Sequence, residues 1–66
     1  MAVLKVIEVL SGSSVSWEDA TQKAVEKASK SVKHIRSVYV QDQSAQVKDG
    51  KVTEYRVNLK LTFEIE

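Results

Sequence analysis

A chain of 66 residues with no cysteine, a single histidine and a net charge of +1 excludes a disulfide-stapled fold and a thiolate zinc site. It also lacks the basic field that a nucleic-acid binder carries. A domain this short buries only about 60 % of the surface its unfolded chain exposes, so association with further copies is the staple that remains.

Residues 1–66 read as one domain. No apolar run nears the ~20 residues that span a bilayer. The opening Met1-Ala2-Val3-Leu4-Lys5 lacks the basic start and long apolar stretch of a signal peptide, which sets an expectation of a cytoplasmic protein.

The first predicted element is a strand over 2–10, where Val3, Leu4, Val6, Ile7, Val9 and Leu10 leave only Lys5 and Glu8 charged. Apolar residues on both parities fit a strand covered on both faces. In a domain with one helix, the second cover has to come from another chain. Ser11-Gly12-Ser13-Ser14 reads as a loop by composition. Ser16 follows as a helix N-cap, with Asp19 three residues on as its capping-box partner.

The spacing then predicts a helix over 17–33. Trp17, Ala20, Ala24, Ala28 and Val32 form its apolar stripe, which continues to Ile35 with Val25 alongside. Alanine in the stripe lets the helix axis approach a sheet closely. Lys23, Lys27, Lys30 and Lys33 line another edge and read as a solvated face. His34 is placed at the helix end, where a partly cationic imidazole suits the dipole. For Trp17 the expected role is core or interface packing.

From Arg36 the period becomes two. Val38 and Val40 point one way and Ser37, Tyr39 and Gln41 the other, while Ala45 and Val47 show that the parity has switched. A bulge or bend near Asp42-Gln43 accounts for the switch. Asp49-Gly50 signals a type I′ hairpin, which needs positive φ at both central residues. The last strand carries Tyr55, Val57, Leu59, Leu61, Phe63 and Ile65 on one face, with Arg56, Asn58, Lys60, Thr62 and Glu64 on the other. The fold class is therefore α+β in the order β-α-β-β, with an antiparallel three-stranded sheet of order 1-3-2 on one helix. The last two strands, at about 13–15 residues, exceed the usual 5–6 and should reach across subunit boundaries.

Three segments carry a resemblance to a known family. They are Lys5-Val6-Ile7-Glu8-Val9, Ser16-Trp17-Glu18-Asp19-Ala20 and Glu54-Tyr55-Arg56-Val57-Asn58-Leu59-Lys60-Leu61-Thr62-Phe63-Glu64-Ile65-Glu66. In this order and length the chain resembles a dodecin over nearly all its residues. The resemblance implies a βαββ protomer assembled into a hollow homo-dodecamer of 23 symmetry. It also implies flavin (FMN or riboflavin) held between protomers for storage or buffering, and some bacterial members are associated with coenzyme A. The tryptophan that stacks on flavin in typical members falls on Ser37, and the glutamine that bonds the ring edge falls on Arg56. Losing the aromatic platform removes stacking worth about 1–3 kcal/mol. Arg56 only donates hydrogen bonds, where a glutamine both donates and accepts. The resemblance thus implies a ligand site altered at Ser37 and Arg56, with Tyr39 and Gln41 beside Ser37 on the same face.

No enzyme is expected. The serines at 11, 13, 14 and 16 lie in a loop and a cap, no glycine loop cradles phosphate, and no nucleophile–base set appears. The alternative ligand is calcium, which takes six to eight oxygens. Symmetry axes would gather these from Asp42, Asp49, Glu54, Glu64 or Glu66 of several chains. Taken one by one, the same acids read as surface partners of nearby lysines.

Overall fold

A computed structural model describes residues 2–65 as β1 (Val3–Ser13), α1 (Trp17–Ala28), β2 (Ile35–Lys48) and β3 (Lys51–Ile65). The strands form one sheet of order β1-β3-β2, and both outer strands run antiparallel to β3. This is the architecture expected from the patterning. The alternation along β3 explains its central place: Val57, Leu59 and Leu61 are buried under the helix, while Arg56 and Lys60 stay exposed on the opposite face. Ala20 has no exposed surface and packs with Val57 and Leu59, flanked by Val9, Trp17 and Ala24. An alanine at the contact lets the helix backbone come close, and Ser11 Oγ donates to Ala20 O at 2.8 Å across that approach.

Trp17 is tied down as a packing residue. Its ring meets Tyr55 edge-on at 4.9 Å between centroids, and its Nε1–H donates to Ser44 O at 2.9 Å. Asp49 and Gly50 take φ of 52° and 76°, as a type I′ hairpin requires.

Four details depart from the sequence reading. β1 continues through Ser11-Gly12-Ser13, because Ser13 pairs with Tyr55 and its hydroxyl is fully engaged. That hydroxyl donates to Asp19 Oδ2 at 2.6 Å and accepts from Val15 N and Ser16 N. The capping box is accordingly only half formed. Ser16 Oγ accepts from Asp19 N at 2.9 Å, but the Asp19 carboxylate turns to Ser13 and Lys23 instead of the Ser16 amide.

The helix stops at Ala28, not near Lys33. The Ser29 amide and hydroxyl both donate to Val25 O, and Lys30 N and Ser31 N then close tighter three-residue turns onto Lys27 O and Ala28 O. Val32 and Ile35 are both half-buried although Ile35 already opens β2, so the apolar spacing outlasts the helix. His34 consequently lies beyond the helix end, in the left-handed region at φ 64°, with its carbonyl accepting from Glu64 N. Finally, the parity switch in β2 occurs at Gln41, between the pairs Val40–Leu59 and Asp42–Asn58, one residue before the expected place.

The protomer is long and thin, with extents of 51 × 20 × 13 Å and a radius of gyration of 13.5 Å. A compact chain of this length has a radius near 11 Å. Its accessible surface is 5023 Å², whereas a compact monomer of this mass exposes about 4200 Å². Part of that surface is the sheet face turned away from the helix. Leu4, Val6 and Leu10 stand there, with Leu10 78 % exposed.

Candidate ligand site on the open sheet face

Residues paired across a ladder share a face. Register therefore places Leu10, Gly12, Asp42, Ser44, Arg56 and Asn58 together on the open face through the pairs Leu10–Asn58, Gly12–Arg56, Asp42–Asn58 and Ser44–Arg56. Between them lies a shallow hollow of about 410 Å³ whose wall also includes Glu54. Ligand pockets of small molecules occupy roughly 300–1,000 Å³.

The Arg56 Nε–H donates to Glu54 Oε1, two residues earlier on the same face of β3. Gly12 makes room for this pair. A Cβ built at Gly12 would stand 2.7 Å from Glu54 Oε2, so the carboxylate lies where any side chain at 12 would be. With Asp42 also present, the hollow holds two carboxylates against one guanidinium.

The other residues singled out from the sequence lie elsewhere. Ser37 pairs with Thr62 and Tyr39 with Lys60 on the same open face. Thr62 is six positions along β3 from Arg56, or roughly 20 Å at 3.3 Å per residue. Gln41 occupies the bulge and has no pairing partner in the ladder. One protomer therefore does not bring Ser37 to Arg56, Tyr39 stands four positions away along β3, and Gln41 adjoins Asp42 at the edge of the hollow. The acids named for calcium are similarly spread. Asp42 and Glu54 line the hollow, Asp49 sits in the hairpin turn, and Glu64 accepts from Arg36 at 3.1 Å. Glu66 lies outside the described residues. Among the described residues no three His, Cys, Asp or Glu side chains gather in a metal-holding group.

Sequence reasoning missed Gly12 and Asn58, and the role of Glu54 beside Arg56. The signal was present in the alternation of β3, which puts 54, 56 and 58 on one face. Gly12 was hidden because a glycine between serines reads as loop.

Two further concavities flank the sheet. One of about 510 Å³ lies between α1 and β1, with Lys23 and Lys27 over Val9 and Ala24. Another of about 510 Å³ is lined by Val32, His34, Phe63 and Ile65. Lys23 pairs with Asp19 at 3.1 Å, and Lys30 and Lys33 lie past the helix, so the lysines form no continuous stripe.

Comparison with known proteins returned consistent relatives. The family model for dodecins matches residues 3–66. The chain is 41 % identical over 66 residues to the calcium dodecin of Mycobacterium tuberculosis, covering 98 % of this chain and 92 % of that protein. A crystal structure of that calcium-chelating antigen, described as having a novel calcium-binding site, superposes with a TM-score of 0.83 at 38 % identity, covering 97 % of this chain and 91 % of that one. The dodecin of Streptomyces coelicolor superposes with a TM-score of 0.93 at 31 % identity, covering 98 % and 93 %. A Thermus thermophilus dodecin with one arginine changed to alanine gives 0.94 at 29 %, covering 100 % and 98 %.

Proposed function

Since this chain belongs to the dodecin family, we propose that it is the protomer of a hollow homo-dodecamer that stores a small ligand at the junctions between protomers, with calcium the ligand its residues suit best. The observation that carries this reading is the open sheet face, which combines uncovered Leu4, Val6 and Leu10 with a hollow edged by Asp42 and Glu54. Apolar area of that kind is stabilised by burial at roughly 25 cal/mol per Å², so copies close over it. Closing copies bring oxygen donors from several chains to shared axes. Calcium needs six to eight of them, more than the described residues of one protomer gather. Its likeness to a relative named for calcium supports the choice.

Flavin is the second reading, and one observation favours it. Tyr39 is 65 % exposed on the open face, one ladder pair from Ser37, and offers an aromatic surface where the expected tryptophan is missing. A neighbouring copy would then have to supply Arg56, with Gln41 as a further hydrogen-bonding group. Either ligand is bound and released without a chemical step, and the cytoplasm is the expected compartment.

The test uses chelator-treated oligomer. Calorimetric titration with calcium should show saturable binding and a raised melting temperature, and riboflavin or FMN should separate from the protein on gel filtration. Co-eluting flavin with quenched fluorescence, and no heat with calcium, would replace the first reading with the second.

A further inference from the structure

We propose that Glu54, seated over Gly12, sets the charge class of ligand that the hollow accepts: it occupies Arg56 and so turns away phosphate- and carboxylate-bearing molecules in favour of cationic or neutral ones. This deepens the reading of the open face as the ligand-holding surface and rests on it. Three observations converge.

An unpaired arginine in a hollow of this size would be a ready anion site, because its planar fork binds phosphate and carboxylate through paired N–H donors. Here the Nε–H is given to Glu54 Oε1, which takes the side-on fork and sets a carboxylate charge directly against the guanidinium. The carboxylate holds that place because position 12 has no side chain, as the 2.7 Å approach to a built Cβ shows. The remaining charged wall is Asp42, another carboxylate, so an entering anion meets net negative charge once Arg56 is neutralised. The hydroxyl of Ser44 and the amide of Asn58 each carry both a donor and an acceptor, donating to an anion or turning an oxygen to a cation, and so leave the choice to the charges.

Gly12 supplies an unusual control. In Gly12→Ala the methyl group displaces the flexible end of Glu54 while every charge is retained. Glu54→Gln removes the charge but keeps the shape. Both substitutions lie on the face away from the helix core, and the intact oligomer is the species to measure.

The experiment follows the thermal stability of wild type and variants against inorganic pyrophosphate, in calcium-free buffer at fixed ionic strength. Saturable stabilisation reports binding to the folded form. Wild type should show little response. Glu54→Gln should bind about fivefold more tightly, the factor expected for releasing an exposed ion pair. Gly12→Ala should gain about twofold, and Glu54→Gln combined with Arg56→Gln should fall back to wild type.

The proposal is overturned if Glu54→Gln gains nothing, or if its gain survives the loss of Arg56. Calcium and flavin titrations of the wild type decide the broader reading separately, since they do not depend on either variant.

Discussion

Asp19 illustrates how one side chain is drawn between competing partners. The hydrogen bond from Ser13, followed by Lys23, holds its carboxyl below the ordinary value of 3.8. A lowered folded pKa means that the ionised form stabilises the native state. That contribution is complete above about pH 4 and disappears as pH falls through the folded pKa. Asp19→Asn should therefore lower the melting temperature at pH 7, and its difference from wild type should shrink toward pH 2. A difference that stays constant with pH would show that the lost interaction is not electrostatic. The cap at Ser16 was legible in the sequence because a cap needs only local chemistry. The partner of Asp19 was not, because Ser13 reaches it by pairing with Tyr55, 42 positions along the chain. Local composition carries no trace of that pairing.

The elements show where local pattern suffices and where it fails. The hairpin was readable because Asp49-Gly50 selects a backbone conformation directly, and Gly50 does adopt φ 76°. Nothing lies within 4 Å of a Cβ built there, so Gly50→Ala carries only the backbone cost of the left-handed region, about 1–2 kcal/mol. Urea titration should show that loss with an unchanged slope, while Asp49→Asn should be nearly neutral because asparagine tolerates the same conformation. A Gly50→Ala protein as stable as wild type would mean that the turn relaxes to another type. The helix end was misread for the opposite reason. Val32 and Ile35 keep the helical spacing and are half-buried, although Val32 lies in the connection and Ile35 opens β2, and neither glycine nor proline marks the exit. The strand bulge was legible from the conflict between Val40 and Ala45, two apolar residues that only a changed parity places on one face.

For the whole molecule, shape and patterning lead to the same point. The two apolar parities of β1 required a second cover, and the structure shows Leu4, Val6 and Leu10 on the face the helix leaves bare. What the sequence could not convey was how copies meet, and within one protomer β3 keeps Ser37 and Tyr39 apart from Arg56. Among the described residues, the buried apolar side chains of a protomer are Ala20, Val57, Leu59 and Leu61. Such a core is too small to hold 66 residues in order by itself, because chain entropy costs about 1–2 kcal/mol per residue. Dissociation and unfolding should then be one transition, and stability should depend on protein concentration. For a dodecamer unfolding directly to single chains, each tenfold dilution lowers stability by about 1.2 kcal/mol per protomer, slightly less than one tenfold unit. Denaturant midpoints measured from 1 to 100 μM, as about two decades of concentration, should shift to match, with light scattering falling in step with circular dichroism. A midpoint independent of concentration at a monomer's mass would show that the thin protomer stands alone, and the inter-subunit site would fall with it.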